Sequence, residues 1–404
     1  MDKSKRIWQA VVLAAAGAAL TAGSITAGQK TIQSQPAAEA GQTQQTVDPV
    51  SVRLDHLSPS AYNNVEGLQL EAGTYLSIIG KASGGDFWDE VKEGAEAAVS
   101  EINELCGYKG EDKVRMVYSG PSEDGDVDEQ VNILDEELAR YPQAVGIAVI
   151  DSQSGDVQFD LAAENGASIV TFDSLSNYQN VMATVSTDNT AAAKETADHL
   201  AEMMENQGEV MIFLHDSRSI TAKERADAFI QKMEADYPQI QVGNTYAMNE
   251  LDDLKKKIAE EINAGTYAKT GEEMAPITEE DAKLTEEDIS DDEAMDYIFA
   301  RNPQVTAIYA TDGDAVMRAV EQTERLEKDV KIVGFDATEE EVAALQEGQI
   351  DGLVAQNPYG MGYATVVACS RAVLGIGNEA NVDSGYTWVD AENMKDPQVE
   401  AMLY

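Results

Sequence analysis

The sequence predicts an α/β protein built from two doubly wound parallel-sheet lobes. Short apolar runs of strand length alternate with segments of helical periodicity from residue 74 to residue 356. Repeated strand–helix units of this kind form parallel sheets with right-handed crossovers. The apolar runs indicate about ten strands, which is close to the upper limit for one twisted open sheet. We therefore expect two sheets, each in a lobe of its own, rather than one oversized sheet.

The first half of the sequence predicts five strands with helices between them. The strands are placed at residues 74–80, 114–118, 144–151, 168–173 and 181–185, and the helices at 91–105, 127–140, 156–165 and 190–205. Asp151 and Asp173 end the third and fourth strands. Open α/β sheets bind ligands beyond the carboxyl ends of their strands, so both carboxylates are candidate ligand contacts.

A polar, glycine-rich loop follows the first strand and leads into Asp86, Phe87 and Trp88. Two adjacent aromatic residues at a strand-to-helix loop can cover the core of the protein. They can equally stack on the apolar face of a sugar ring. The residues alone leave both interpretations open, with the core slightly favoured.

The second half continues the alternation. Strands are predicted at 210–214, 240–247, 305–310, 331–336 and 352–356, and helices at 222–235, 251–263 and 315–325. Asp312 follows one of these strands, and Asp336 and Gln356 end two others. Thr338 and Glu341 have the spacing of a capping box for a helix between the last two strands. Asp336 is therefore either a ligand contact or a cap for that helix.

Three segments fall outside this alternation. Residues 1–28 join a basic stretch to an alanine-rich apolar segment, which is typical of a secretory signal peptide or an uncleaved membrane anchor. Residues 29–71 are rich in Gln, Ala, Thr and Ser and lack periodicity, so we expect a flexible, disordered tether. Residues 265–293 are dense in Glu and Asp and predict a solvated acidic insertion.

Composition and motifs argue against several classes of function. The chain has 74 acidic and 28 basic residues, a formal charge of −46, which disfavours nucleic acid and polyanionic substrates. The three histidines lack metal-ligand spacing, and neither a nucleophile elbow nor a phosphate loop is present. We therefore expect no catalytic residue, no metal and no cofactor. Cys106 and Cys369 can pair or remain free.

Seven short motifs in order give the chain a specific resemblance. The motifs are Asp86-Phe87-Trp88, Phe172-Asp173, Thr187-Asp188-Asn189, Lys223-Glu224-Arg225, Asp312, Gly334-Phe335-Asp336 and Ala355-Gln356-Asn357-Pro358. With them, the chain from about residue 72 to residue 404 resembles the type I periplasmic sugar-binding proteins, the ribose/galactose-binding family that is itself similar to LacI-type regulators. The basic helix-turn-helix domain that a repressor needs is not found.

The resemblance implies two lobes joined by three crossovers, near residues 185–188, 356–358 and 384–387. The N-terminal lobe would comprise 72–185 and 358–384, and the C-terminal lobe 186–357 and 385–404. It also implies a ligand in the cleft between them. Phe87 and Trp88, preceded by Asp86, would stack on a sugar. The hydroxyls of the sugar would bond to a set of polar side chains, namely Asp151, Asp173, Asp312, Asp336 and Gln356. Lys223 or Arg225 would oppose this set.

The sequence departs from the family pattern at several of these positions. Ser174 follows Asp173 where ribose binders have Arg, Lys223 replaces the Arg that opens the helix, and Asp151 and Asp312 stand where the family usually has Asn. The pocket therefore loses guanidinium groups and gains carboxylates, which puts a specific pentose or hexose in doubt.

The resulting hypothesis is a secreted, cell-surface solute-binding protein. It would be a monomer that captures a small neutral sugar or polyol and delivers it to the permease of an ABC importer, with membrane contact only through its N-terminal segment. The alternative is a membrane-tethered sensor module that reports the same ligand to a histidine kinase or chemoreceptor.

Overall fold

In the computed structural model, the described residues are 47–123, 125–267 and 283–404. The predicted signal peptide or anchor at 1–28 lies outside them. Within the described residues, no helix has the length and apolarity that a membrane span requires.

The strands follow the chain in this order: β1 Tyr75–Ile79, β2 Arg115–Ser119, β3 Ala144–Ile147, β4 Ser168–Phe172, β5 Thr184–Ser186, β6 Gly208–Leu214, β7 Ile240–Ala247, β8 Ala307–Ala310, β9 Lys331–Phe335, β10 Gly352–Gln356, β11 Asn381–Asp383 and β12 Tyr386–Val389. Four of them, β1, β3, β8 and β10, are buried along their whole length. This burial is expected for parallel strands covered by helices on both faces.

The helices follow in this order: α1 Pro49–Asp55, α2 Asp86–Cys106, α3 Val127–Leu138, α4 Asp156–Glu164, α5 Asn189–Met203, α6 Ile220–Asp236, α7 Leu251–Ala264, α8 Asp291–Arg301, α9 Gly313–Arg325, α10 Glu339–Glu347, α11 Pro358–Leu374 and α12 Pro397–Glu400. Several begin at a side chain that accepts a hydrogen bond from a free backbone N–H of the first turn, as Asp188 does for α5 and Ser219 for α6. These caps fix where the helices start relative to the strand ends before them.

The strands form two six-stranded sheets of matching order. The first sheet runs β11-β5-β4-β3-β1-β2 and the second β12-β10-β9-β8-β6-β7. Neighbouring strands are parallel throughout, except that β12 is antiparallel to β10. We call the lobe around the first sheet lobe I and the lobe around the second lobe II. The fold class predicted from the sequence is confirmed.

The chain passes from the strands of one sheet to those of the other at three places. It leaves lobe I after β5, returns after β10 to form α11, and passes again to lobe II between β11 and β12. Two glycines allow α2 and α11 of lobe I to pack closely. A Cβ on Gly94 would lie 1.9 Å from the carbonyl oxygen of Tyr359, and one on Gly362 would lie 1.9 Å from that of Val91. Any side chain at either position would separate the two helices.

The prediction of a flexible tether over residues 29–71 is wrong for residues 47–71, while 29–46 lie outside the described residues. Residues 49–55 form α1, and Val52 is buried in the core of lobe II. Leu57 and Tyr62 are buried in the core of lobe I. The segment therefore crosses from one lobe to the other. The average composition of the region conceals these apolar anchors, which have no regular spacing.

Of the predicted solvated insertion at 265–293, residues 268–282 are outside the described part of the chain, and residues 283–293 are mostly exposed as predicted. The segment is nevertheless anchored to lobe II at two points. Tyr267 and Ile289 are buried in the core of lobe II, and the ring of Tyr267 stacks on Tyr297 of α8. The helix α8 begins at Asp291, earlier than the acidic composition suggests.

Candidate functional site

The ends of the strands in both sheets face a cleft of about 750 Å³ between the lobes. This volume lies within the range of roughly 300–1,000 Å³ that small-molecule sites occupy. The residues that carry its chemistry are Lys81, Phe87, Trp88 and Asp173 from lobe I, and His215, Asp216, Arg225, Asp312, Asp336, Glu341 and Gln356 from lobe II.

Lobe I contributes an aromatic pair and an ion pair. Phe87 and Trp88 lie in the first turn of α2, and their rings meet edge to face with centroids 4.9 Å apart. Behind them, the Nζ of Lys81 lies 2.7 Å from Oδ2 of Asp173. Lys81 follows β1 and Asp173 follows β4, so the sheet itself brings the two charges together. The negative charge of Asp173 is thus largely neutralised within lobe I.

Three of the lobe II carboxylates in the cleft lining, Asp312, Asp336 and Glu341, lie close enough together to interact. Asp312 caps α9 by accepting from the backbone N–H of Ala315 at 2.9 Å. Asp336 accepts from the N–H of Gly313 at 3.1 Å and from the amide of Gln356 at 2.6 Å. Glu341 accepts from the N–H of Thr338 at 2.8 Å in the capping box of α10. Helix starts and strand ends therefore collect negative charge on one wall.

The crowding of these carboxylates changes their ionisation. Burial, followed by the nearby charge of Asp336, raises the pKa of Asp312 to about 7. Burial and Asp336 likewise raise the pKa of Glu341. Both effects arise because a desolvated carboxylate beside another negative charge is stabilised by holding its proton.

Asp173 and Asp336 occupy equivalent positions in the two lobes. Each follows the third strand of its sheet, β4 in lobe I and β9 in lobe II. Each also has a positive φ, 56° for Asp173 and 78° for Asp336, which residues other than glycine seldom adopt. Strain of this kind persists where the surrounding structure holds it, and it occurs most often at functional sites.

Arg225 connects several polar groups at the strand ends of lobe II by donating to neutral acceptors. It is buried, and its guanidinium donates to the Asn189 side chain at 2.7 Å, to the carbonyl of Thr311 at 2.7 Å and to Oε1 of Gln356 at 2.9 Å. Its carbon Cζ lies 3.9 Å from the centroid of the Phe335 ring. Arg225 thus lies in the cleft lining, as expected from the sequence, and the hydrogen bonds of its guanidinium go to neutral acceptors.

Gln356 connects Arg225 to the first crossover between the lobes. Its Oε1 accepts from Arg225 and also from the hydroxyl of Thr187 at 2.9 Å, while its Nε2 donates to Asp336. Gln356 thereby fixes Asp336 relative to both the hinge and the buried cation.

His215 is a neutral member of the same wall. Its Nδ1 lies 2.8 Å from the hydroxyl of Thr311 and 3.8 Å from the carboxylate of Asp312. Burial, together with the cations of Arg225 and Lys81, lowers the pKa of His215 to about 3. At neutral pH the imidazole is therefore uncharged and offers hydrogen bonds without a charge.

Most of the residues singled out from the sequence line the cleft, namely Phe87, Trp88, Asp173, Arg225, Asp312, Asp336 and Gln356. The structure does not bring Asp86, Asp151 and Lys223 to its lining. Asp86 is exposed at the start of α2, and Lys223 is exposed on α6. The carboxylate of Asp151 accepts from the backbone N–H groups of Gln153 and Ser154, so it closes a local turn.

The alternative role of Asp336 as the cap of the following helix is wrong. Thr338 is the N-cap of α10, and Glu341 completes its capping box. The carboxylate of Asp336 instead reaches the start of α9 through the N–H of Gly313. Gly313 and Asp336 lie side by side because they follow β8 and β9, which are neighbours in the sheet.

Several polar residues of the cleft wall were not singled out from the sequence as ligand contacts, among them Lys81, His215, Asp216, Arg318 and Glu341. Lys81 and His215 come shortly after β1 and β6, so the position after a strand was a usable signal for both. Asp216 is engaged by Arg218 at 2.7 Å. Glu341 has the spacing of a capping residue, and only the tertiary structure shows that its carboxylate also reaches the cleft.

Two further questions left open by the sequence concern metals and thiols. Among the described residues, no group of His, Cys, Asp and Glu side chains has the arrangement of a metal site. Cys106 and Cys369 are both free, and Cys369 is completely buried, which raises the pKa of its thiol to about 12. Neither thiol faces the cleft.

Two lobes joined by three crossovers around a polar, aromatic-walled cleft define a bilobed binding protein. Residues 76–275 and 268–376 match the periplasmic binding protein domain family, and the chain belongs to that family. A curated relative, the ribose import binding protein of Haemophilus influenzae, is 23% identical over 214 residues. That match covers 53% of this chain and 60% of the relative, so it spans about three fifths of the relative's length.

Solved structures share the fold. The carbohydrate transporter solute-binding protein from Agrobacterium radiobacter in complex with D-arabinose is 24% identical, with a TM-score of 0.64, and the match covers 82% of this chain and 99% of that chain. A solute-binding protein of an ABC transporter from Agrobacterium vitis, bound with α-D-tagatopyranose, is 22% identical with the same TM-score and the same two coverages. A glucose-galactose binding protein from Geobacillus stearothermophilus is 19% identical, with a TM-score of 0.63 and coverages of 80% and 99%.

Proposed function

We propose that this protein is an extracytoplasmic solute-binding protein that captures a small neutral sugar or polyol in the cleft between its lobes. The observation that carries the proposal is the composition of the two facing walls. Phe87 and Trp88 stand on lobe I, and Asp312, Asp336 and Glu341 stand on lobe II. An aromatic face suits the C–H groups of a sugar ring, and carboxylates suit its hydroxyls.

The charges of the cleft favour a neutral ligand over an anionic one. The Lys81 cation is paired with Asp173, and the donors of Arg225 are engaged with neutral acceptors. A second arginine of lobe II, Arg318, also lines the cleft and lies 3.8 Å from Asp291. Acidic residues still outnumber the two arginines in the lobe II lining, which contains Asp216, Asp312, Asp314, Glu321, Asp336, Glu340 and Glu341. The raised pKa values of Asp312 and Glu341 lessen the negative charge of this wall and leave protonated carboxyl groups that can donate to ligand hydroxyls. The charge that remains would repel a ligand carboxylate or phosphate far more strongly in a closing cleft of low dielectric than in water.

The relatives support the ligand class and the transport role. Two of the solved structures described above contain D-arabinose and D-tagatose, and the curated relative is named for ribose import. We accordingly propose delivery of the ligand to the permease of an ABC importer, outside the cytoplasm, by a monomeric binding protein. Uptake of the labelled sugar by cells lacking this protein tests delivery, and unimpaired uptake would count against it.

A binding screen tests the ligand class directly. The panel contains D-ribose, D-arabinose, D-tagatose, D-fucose, D-glucose, D-galactose and common polyols, with D-galacturonic acid and D-galactose 6-phosphate as anionic counterparts. A ligand at a hundredfold excess over its Kd should stabilise the folded protein by about 2.7 kcal/mol, which a thermal shift detects and titration calorimetry quantifies. Tight binding of an anionic member with no binding of its neutral counterpart would overturn the charge argument.

Closure of the lobes is a second observable of the same function. Bilobed proteins of this type close around their ligands by hinge motion. Small-angle scattering should therefore show a smaller radius of gyration once a panel sugar saturates the protein. A radius that does not change under saturating ligand would contradict closure, although the sugar still bound.

A further inference from the structure

A tyrosine that is absent from the motifs described above reaches the site from the end of lobe II. Tyr404 follows the buried residues Ala401 and Met402. Its hydroxyl donates to Oδ1 of Asp336 at 3.1 Å, and its backbone N–H donates to the carbonyl of Ala337 at 3.2 Å. Tyr404 thus contacts two successive residues at the carboxyl end of β9 through two separate hydrogen bonds.

The ring of Tyr404 also contacts the opposite lobe. Its centroid lies 5.7 Å from that of Phe87, with the two rings at 74°. This is the edge-to-face geometry that aromatic pairs prefer. Phe87 belongs to the aromatic wall of lobe I and Asp336 to the acidic wall of lobe II, so Tyr404 joins one member of each wall.

Arg53 holds the segment that ends in Tyr404. Its guanidinium donates to the carbonyl of Ala401 at 2.8 Å and to that of Leu403 at 3.1 Å, and it pairs with Glu90 of α2 at 2.6 Å. Glu90 lies one helical turn beyond Phe87. The helix that presents Phe87 and the segment that presents Tyr404 therefore share one cation.

The acceptor capacity of Asp336 shows what Tyr404 does to the site. An ionised carboxylate offers about four lone-pair positions. Gly313, Gln356 and Tyr404 donate to three of them, which leaves one for a ligand. The phenol remains a donor, because burial and the charges of Asp336 and Glu341 raise its pKa well above the ordinary value.

We propose that Tyr404 is a positioning residue of the ligand site, which orients Asp336 toward one ligand hydroxyl and connects it to the aromatic wall of lobe I. This inference rests on the proposed function, since it concerns how a sugar hydroxyl is received at Asp336. Tyr404 acts through Asp336, so its effect on affinity depends on that carboxylate being present.

A double-mutant cycle tests this dependence. Tyr404→Phe keeps the ring on Phe87 and removes only the hydroxyl, and it should weaken binding of the best sugar of the panel about tenfold. In an Asp336→Ala background the same change should alter affinity less than twofold, because the partner is gone. Tryptophan fluorescence titration reaches the millimolar affinities that Asp336→Ala requires.

A matched control is Tyr386→Phe. Tyr386 is another tyrosine of lobe II, its hydroxyl donates to the carboxylate of Glu195 at 2.8 Å, and it does not line the cleft. This variant should bind the sugar as the wild type does. Equal affinities of Tyr404→Phe and wild type, or an equal loss with and without Asp336, would overturn the inference while leaving sugar binding established.

A second readout requires no ligand. The backbone N–H of Gly313 donates to the carboxylate of Asp336. If loss of the Tyr404 hydroxyl makes this carboxylate more mobile, the hydrogen bond opens more often and the N–H exchanges faster with solvent. Hydrogen exchange at Gly313 should be at least fivefold faster in Tyr404→Phe than in wild type or Tyr386→Phe. Unchanged exchange overturns the role of Tyr404. Failure of the wild type to bind any panel sugar counts instead against the proposed function.

Discussion

Replacing Arg225 by methionine should destabilise the ligand-free protein by about 3 kcal/mol. The thioether side chain can remain against the ring of Phe335, so the change removes chiefly the hydrogen bonds of the guanidinium. The Asn189 side chain and the carbonyl of Thr311 then lose a donor, at about 1–3 kcal/mol each for a buried acceptor. Gln356 loses less, because Thr187 still donates to its Oε1. Removal of a buried cation returns part of this loss, which gives the net figure of about 3 kcal/mol.

Equilibrium unfolding in urea, followed by circular dichroism, measures this change. The same helix supplies the control, because Lys223 is exposed two residues away and Lys223→Met should change stability by less than about 0.5 kcal/mol. If Arg225→Met unfolds at the same urea concentration as Lys223→Met, the buried network does not stabilise lobe II. The description of Arg225 as a structural residue would then be refuted, and a role in the cleft would regain support.

Three further changes test other parts of the molecule. Because the pKa of Asp312 is raised in the folded state, its stabilising contribution is complete below the unfolded value near 4 and is lost as pH rises through about 7. Asp312→Asn should therefore flatten the fall in stability between about pH 4 and 7, while the exposed control Asp227→Asn should not, and identical pH profiles of the two variants would contradict this. Trp88→Leu should weaken sugar binding about tenfold in calorimetry, equivalent to about 1.4 kcal/mol, and unchanged affinity would place the ring in the core alone. Arg53→Ala should lower the free energy of unfolding by about 2 kcal/mol. The carbonyls of Ala401 and Leu403 and the half-buried carboxylate of Glu90 all lose the guanidinium that donates to them. The control is Lys331, an exposed residue that pairs with Asp351 at 2.7 Å, and a loss from Lys331→Ala of the same size would show that the position of Arg53 has no special weight.

The strand-end residues show how much of the site could be predicted. A short apolar run followed by Asp or Gln places that side chain at the edge of a parallel sheet. Phe335 is therefore buried while Asp336 faces the cleft, and Phe172 and Asp173 repeat the pattern in lobe I. Strand alternation and parallel packing are local rules, and they hold without knowledge of the rest of the fold.

Lys223, Arg225 and Asp151 show where local rules stop. Lys223 and Arg225 are two positions apart on one helix, which puts them about 200° apart around its axis. Only the orientation of α6 against the sheet decides that Arg225 is buried and Lys223 exposed. Asp173 directly follows β4, but β3 already ends at Ile147, so Asp151 lies four residues beyond its strand. There its carboxylate accepts from the backbone N–H groups of Gln153 and Ser154.

The sequence by itself determined the alternating elements, the division into two lobes and the carboxylates at the strand ends, because each follows from periodicity within a few residues. Only the tertiary structure decided that residues 47–71 are folded across both lobes, that Lys81 neutralises Asp173, and that Tyr404 reaches Asp336 and Phe87. These contacts join positions that are tens to hundreds of residues apart. Their physical basis is burial and charge pairing between elements, and no periodicity in the sequence records which elements will meet.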